Sequence, residues 1–584
     1  MEILIQNGLI VDGSGSPAYQ GDLLIDDGKI MRIGEPGSLI ALAGGEVINA
    51  SDYIITPGFI DAHTHFDGQA SWDEILSPSS DHGITTAIMG NCGIGFAPVR
   101  PAERDFLIEM MEGVEDIPGI ALSEGITWNW ETFPEYLDEL ESMPRAIDIA
   151  AQVPHCSIRT YALGKNVDIK AQATEKQIEL MADLTREAVQ AGAIGLSTGR
   201  ISIHTSIKGE SVPGTFASRE EFLALIKATQ AGGGNIVQCV SEGLMGDDPE
   251  AYKNEIALYK ELSLETGCCI LFLLNQNNVQ TEMWKENLAF VKRANEEGAK
   301  LVAMTPNRPG GMMMSWDSYN IFIDRPAFKE IAHLPLQERI QELKKPERRE
   351  KILKDSTDRP RGAIQIVLNS LGATYPFTSA VGPLFEPEVK DSMLARIERT
   401  GEAPIEALYD AMCEVAESDG PLPGFLHVYM GNYADGDLNA VGEMINDPNV
   451  IIGGADAGAH VNMICDASYP TYMFQHWVRD RKRGPKMPIE QAVKLISHDT
   501  AKLYGLHDRG LLIEGKKADI NIIDLKNIRM HMPYMAYDLP TGAGRLLQGA
   551  DGYIATIVAG EVVFRNGKET GARPGTLVRG VQKP

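Results

Sequence analysis

Hydrophobic positions along this 584-residue chain follow two rhythms. From Met1 to about Ile55, short alternating runs (MEILIQNG, LIVDGSG, GDLLIDDGKIMRIG, EVINASD) are cut by NG, DG and GS dipeptides. Alternation at period two between such turns predicts antiparallel strands joined by hairpins. The same style returns near the C-terminus in ADINIIDL and YIATIVAGEVVFRNGKET. Each segment lacks a core of its own, so together they predict a small composite β-sandwich domain built from residues 1–55 and 505–584.

Between these ends the pattern changes to eight short apolar runs: IITPGFIDAH, GITTAIMG, IDIAAQVPH, AIGLSTG, NIVQCV, CILFLL, LVAMTP and NVIIGGADAG. Most are separated by segments of helical period. In 174–192, Ile178, Met181, Leu184 and Ala188 recur at spacings of three and four, and Gly192 can close the helix. Similar helices are predicted over 218–231, 248–266 and 282–297. Continuous apolar strands alternating with helices predict a parallel sheet covered on both faces. Eight such units favour an α/β architecture of the closed (β/α)8 TIM-barrel type over 56–504. An open dinucleotide fold lacks its main signal, because no GxGxxG opens a helix after a strand. Two stretches exceed what a barrel connection needs: 100–146, with the aromatic TWNWETFPEYL, and 326–447, with the charged ERIQELKKPERREKILKD. Either covers the active-site end or adds packing or an oligomer surface.

Composition then narrows the partners. With 43% hydrophobic and 23% charged residues the chain has the makings of a large core, so disorder is excluded as the default. A net charge of −28, with no basic cluster beside aromatics, argues against nucleic acid and against an anionic membrane surface. A small-molecule substrate is the expectation, bound by a homo-oligomer. The first residues lack the basic and apolar regions of a secretory signal, and no run approaches the length of a membrane span, which predicts a cytoplasmic protein. Seven thinly spread cysteines, two of them adjacent at Cys268 and Cys269, are unlike a disulfide framework and read as reduced thiols.

Polar groups at the C-terminal ends of barrel strands are the candidates for chemistry. His63 and His65 end the first run, and period two sends both side chains the same way, as a shared metal ion requires. The competing reading is a hydrogen-bonded pair at a strand end. Cys92 follows the second strand between Gly90 and Gly93, as a soft thiolate ligand or as a small buried thiol. His155 ends the third strand; it could bind metal, polarise a carbonyl or donate to a backbone oxygen. Asp456 ends the eighth, where a carboxylate after buried apolar residues needs a cation or a helix end to cap. His204, His427 and His460 are candidates for the substrate-binding mouth. His82 precedes its strand and so lies at the wrong end, while His333, His476, His498, His507 and His531 read as structural or exposed. Met304 and the run 312–314 line a pocket or fill the core.

These motifs carry a resemblance. GFIDAHTHFDG, GITTAIMGNCGIGFAP, AIGLSTG, GGADAGAH, GKKADINIIDL and TGARPGTLVRG resemble the amidohydrolase superfamily, in its N-acyl-D-amino acid deacylase (D-aminoacylase) branch, over nearly the whole chain. The resemblance implies a metal-dependent barrel that hydrolyses an amide with metal-activated water. It implies His63 and His65 as ligands, Cys92 as the thiolate ligand, and Asp456 as ligand and general base; His155, from its strand-end position alone, is a candidate catalytic or substrate-binding group. The deacylase pattern has histidines at the ends of the fifth and sixth strands, where this chain has IVQCVSEG and LFLLNQNN, with Cys239 and Asn275 at the corresponding positions. Cys239 could still bind metal, but Asn is a poor zinc ligand, so one Zn2+ rather than two is the expectation, with another divalent metal as the variant. The family's pocket signature is not recognisable in MTPNRPGGMMMSW, so the resemblance does not fix the substrate. Alternatives are a hydrolase of a lactone, ester, cyclic amide or C–C bond beside a carbonyl on the same ion, or a non-catalytic barrel.

Overall fold

The structure is a computed structural model that describes residues 2–41, 43–355, 362–378, 385–417 and 424–582. The amphipathic segments fold as helices with sequence-encoded ends. Glu175–Ala191 starts at a capping box between Thr174 and Gln177 and stops at Gly192, whose φ of +129° a side chain would resist. Arg219–Ala231 and Pro249–Thr266 are capped by Ser218 and Asp248, whose side chains accept from Glu221 N and Ala251 N. The helix Met283–Glu296 completes the predicted set.

Each of the eight apolar runs contains a strand: Phe59–Asp61, Ile84–Met89, Asp148–Ala151, Leu196–Gly199, Ile236–Val240, Cys269–Leu273, Leu301–Thr305 and Val450–Ile452. The first three pair in a parallel ladder. The other five form a second parallel ladder, which opens with Val153–Pro154, one residue past the third strand. Two contacts join the ladders. Gln152 N donates to Met89 O at 3.0 Å, and Thr64 bridges in parallel to Ala457, with His65 N donating to Ala457 O at 2.7 Å. Chain leaving the first strand is thereby tied to chain leaving the last. The molecule is an α/β structure of parallel strands and helices with a separate β domain.

That β domain takes strands from both ends of the sequence. Ile3–Ile10, Tyr19–Asp26, Lys29–Gly34, Glu46–Asn49 and Ile54–Pro57 join Ile520–Ile523, Tyr553–Val558, Glu561–Arg565 and Lys568–Glu569 in one nine-stranded sheet. Ile55 pairs with Ile10 on one side and Ile522 on the other, so the ends meet edge to edge within one ladder. The sheet curls so that the Gly28 turn approaches Ala559 and Ile25 shares a core with Ile557. Ile3, Ile5, Leu23, Ile25, Ile520 and Ile557 are among its buried core residues.

The first insertion folds as the helices Arg104–Glu115, Gly119–Gly125 and Phe133–Ser142. It is held down by Trp130, whose Nε1 donates to Phe96 O at 2.9 Å. The second begins earlier than expected, at the strand Gly310–Met314, which pairs antiparallel with Phe425–Gly431; that strand also pairs with Thr374–Phe377. Its helices bury a separate core around Trp316, Phe322, Phe328 and Tyr409. Residues 356–361, 379–384 and 418–423 of this insertion lie outside the described residues. Among the described residues no helix is long and apolar enough to cross a membrane.

Candidate metal centre

His63 and His65 leave the strand Phe59–Asp61 on the same side, their rings 5.3 Å apart and both buried. Between them Thr64 points the other way and hydrogen-bonds Ile88 O through its amide and its hydroxyl, so the alternation is locked by the neighbouring strand. Cys92 sits on a tight turn with φ +55°. The glycines beside it allow close packing: a Cβ on Gly90 would strike Gln152 O, and one on Gly93 would strike Gly199 N. The turn brings Cys92 Sγ to 3.4 Å from His63 Nε2 and 3.7 Å from His65 Nε2. Asp456, at φ +48° past the last strand, places Oδ1 2.9 Å from His63 Nε2 and 3.6 Å from His65 Nε2. Two imidazoles, a thiol and a carboxylate from three strand ends thus face one point.

A fifth group joins them from the first insertion. Glu115, the last residue of the helix Arg104–Glu115, is buried with Oε1 3.4 Å from His65 Nδ1 and Oε2 3.6 Å from His460 Nε2. Sequence reasoning missed it, although Glu115 continues the buried stripe of Ile108 and Met111 at spacings of three and four, where a carboxylate is out of place.

The electrostatics are those of a site short of positive charge. Burial, then the negative charges of Asp456 and Asp67, push the Glu115 carboxyl well above its ordinary range. Burial, then Glu115, Asp456 and Asp67, push the Cys92 thiol well up. Asp67, buried and bonded by Gly90 N at 3.2 Å, is raised by burial to about 7. Burial lowers the His65 imidazole to about 4, which keeps it neutral with a lone pair to offer. Asp456 is the exception, because although burial opposes it, His63 and His65 hold its carboxyl well below the usual range. The charges acting on Cys92 and Glu115 are all negative.

A bound metal cation answers these demands. Ligand atoms of His63, His65 and Cys92 lie within 4.8 Å of one another, and Asp456 Oδ1 is in contact with both histidines. Imidazole, thiolate and carboxylate form a donor set typical of zinc. The outer nitrogens, His63 Nδ1 and His65 Nδ1, have no hydrogen-bond partner among the described residues.

The other sequence candidates divide. His204 is near enough to feel His460, His65, Asp456 and His63 electrostatically, and burial, then those neighbours, bring it to about 4. His460, whose side chain is 30% exposed, neighbours the cluster through Glu115. His155 does not face the cluster: Nδ1 lies 2.9 Å from Thr198 Oγ1 and Nε2 2.9 Å from Glu221 Oε1, so neither ring nitrogen is free for catalysis or substrate. Cys239, considered as a further ligand, is turned outward. It feels Glu255 and Tyr259 of the helix Pro249–Thr266 and Arg200 just past its neighbouring strand, while Gln238 beside it points in and accepts from Cys92 N at 3.1 Å. The Asn275 side chain accepts from Thr305 Oγ1 at 3.4 Å. His427 lies in the second insertion's sheet, 4.3 Å from the Tyr429 ring and buried, with no hydrogen-bond partner for either nitrogen among the described residues. His82 is structural, its nitrogens 2.7 Å from Thr471 Oγ1 and Gln548 O. Beside Asp456 opens a small pocket lined by Gln69, Gly458, Val461, Asp466 and Leu546, among others.

The model of the amidohydrolase family matches residues 46–564, so the chain belongs to the amidohydrolase family. An uncharacterized protein of Mycobacterium tuberculosis is 26% identical over 97% of this chain and 92% of its own length. D-aminoacylase of Alcaligenes xylosoxydans xylosoxydans is 31% identical over 40% of this chain and 43% of its own. The crystal structure of D-aminoacylase shares the fold with a TM-score of 0.64 at 20% identity, covering 99% of both chains. That of N-acyl-D-glutamate deacylase from Bordetella bronchiseptica, complexed with zinc and a phosphonate inhibitor, does so at 0.62 and 21% identity, again over 99% of both. Within the family the chain is similar to D-aminoacylase, and it is a metal-binding hydrolase of carbon–nitrogen bonds with a small-molecule substrate.

Proposed function

We propose that this chain hydrolyses the amide bond of an N-acyl amino acid or a related small amide, using one divalent ion, zinc in the first instance. His63, His65 and Asp456 would hold it, with Cys92 as the fourth group. The convergence of these donors on one point short of positive charge carries the reading. When bound, such an ion supplies Lewis acidity toward a carbonyl and brings the pKa of water toward neutrality. Asp456 is the proton carrier, because it is ionised at neutral pH and 29% of its side chain is accessible at the pocket. It accepts a proton from water at a carboxylate oxygen and returns it to the leaving amine. His204 and His460 stand at the mouth and contact substrate.

A single ion is supported by the outward-facing Cys239 and the Asn at 275. D-aminoacylase has a binuclear metal centre with one-metal activation and second-metal attenuation, which agrees with one ion sufficing here. We infer that the two parallel ladders are arcs of one closed (β/α)8 barrel over 56–504, supported by the Gln152 and Thr64 contacts that join them. Residues 1–55 and 505–584 form the β domain in this reading. All seven cysteines are free and buried, which supports a cytoplasmic setting. A homo-oligomer remains the expected assembly.

The test is a panel of N-acetylated D- and L-amino acids, lactones and cyclic amides, assayed with metal-loaded enzyme and with Asp456→Asn. We expect amide hydrolysis by the wild type and a fall of about 10²–10⁴-fold in the variant, the range for loss of a general base. Turnover of lactones alone would overturn the amide assignment, and an undiminished Asp456→Asn enzyme would overturn the role of Asp456.

A further inference from the structure

We propose that Glu115 is a positioning residue for the metal site, delivered by the first insertion to fix the ring and tautomer of His65. The inference rests on the metal reading above. His65 turns Nε2 toward Cys92 and Asp456, which leaves Nδ1 as its outer nitrogen. Glu115 Oε1 stands 3.4 Å from that nitrogen, and neither atom has a hydrogen-bond partner among the described residues. An imidazole whose outer N–H meets a carboxylate keeps its lone pair on the inner nitrogen, and the carboxylate raises its donor strength.

The carboxylate is itself held in place. Its helix is buried through Leu107, Ile108, Met110, Met111 and Val114, and its backbone oxygen accepts from His460 N. Its second oxygen faces His460 Nε2 at 3.6 Å, so one side chain links a first-strand ligand to the loop that follows Asp456. A buried carboxylate is costly unless a cation is near. The nearby cation is the one His65 would bind, which gives Glu115 a reason to be where no packing argument would put it. The insertion thereby acquires a function: it carries a group that the barrel strands do not supply.

The experiment is zinc binding to the full-length protein, by competition with a chromophoric chelator, for the wild type, Glu115→Gln and Glu115→Asp. Melting of the metal-free forms is measured alongside. Glu115→Gln should weaken zinc by about 10–100-fold, the range for loss of such an outer partner, with little change in metal-free melting. Glu115→Asp keeps the charge but withdraws it, and should fall between the two. Gln has the shape of Glu, so a role in packing alone predicts zinc affinity equal to wild type, and that result overturns the proposal. If Glu115→Gln does not fold, equal affinity in Glu115→Asp overturns it instead. A wild type that binds no metal would overturn the metal reading and this inference together; normal wild-type binding with an indifferent Glu115→Gln would remove this inference alone.

Discussion

Two buried polar clusters in this molecule look alike in composition and differ in balance. In the first, His155 and Arg159 share the carboxylate of Glu221, each at 2.9 Å, and Thr198 takes the other ring nitrogen of His155. Burial would push Glu221 up, but the hydrogen bonds and charge it meets at His155 and Arg159 outweigh it and hold the carboxyl below its ordinary range. In the second, Cys92 and Glu115 are driven up by burial and by negative neighbours and Asp67 by burial, and His63 Nδ1 has no hydrogen-bond partner among the described residues. Both clusters are hidden from water and both contain histidine. What separates structure from function is whether the protein's own charges close the account, since a set that does not is built for something that arrives later.

The comparison breaks most sharply at His63. His63→Ala should lose bound metal and activity together, as measured by elemental analysis of the purified protein, and wild-type metal content in that variant would contradict the assignment. In the Glu221 cluster the effect should be on folding. Glu221→Gln leaves His155 and Arg159 buried with one neutral partner, and should cost about 3–5 kcal/mol in chemical denaturation with metal content unchanged. Loss of metal at wild-type stability would show that the clusters had been assigned the wrong way round.

The smallest effect is in the pH dependence. Burial lowers the imidazole of His82 from 6.5 to about 4, so the folded protein holds it neutral while the unfolded chain takes up a proton below pH 6.5. Stability from this residue is therefore complete at neutral pH and is lost as pH falls from 6.5 toward 4, by about 3 kcal/mol at 1.36 kcal/mol per unit. Replacing His82 with Asn should flatten that part of the acid denaturation curve. An unchanged slope would show that His82 already carries its charge in the folded state.

Much of this was legible in the sequence because strands and loops leave different marks. Eight apolar runs located eight parallel strands, and the spacing of apolar residues, with Gly192, set helix ends to within a residue or two. His63 and His65 could be placed because period two fixes their side relative to each other. Cys239 could not be placed by the same rule, because a strand buried on both faces shows no polar alternation to reveal which side is inward; only the fold puts Gln238 in and Cys239 out. His155 was assigned from its strand-end position, but it is the first residue of the helix His155–Leu163, and the turn aims its ring at Thr198 and Glu221. Glu115 reaches the site from an insertion about fifty residues downstream in sequence of His65. Its only local mark is a charge in an apolar helical stripe. The edge-to-edge joining of the two ends was hidden because alternation predicts strands without saying which edges meet.

Cys92, Asp456 and His460 share one trait: all three have left-handed backbones, with φ of +55°, +48° and +47°. Conformations of this kind cost on the order of 1–3 kcal/mol each in residues other than glycine. Selection for heat tolerance alone would therefore favour glycine at all three positions. A library screened only for survival should drift toward a sturdier chain that has discarded its own chemistry, and screens on this scaffold need activity as a second criterion from the first round.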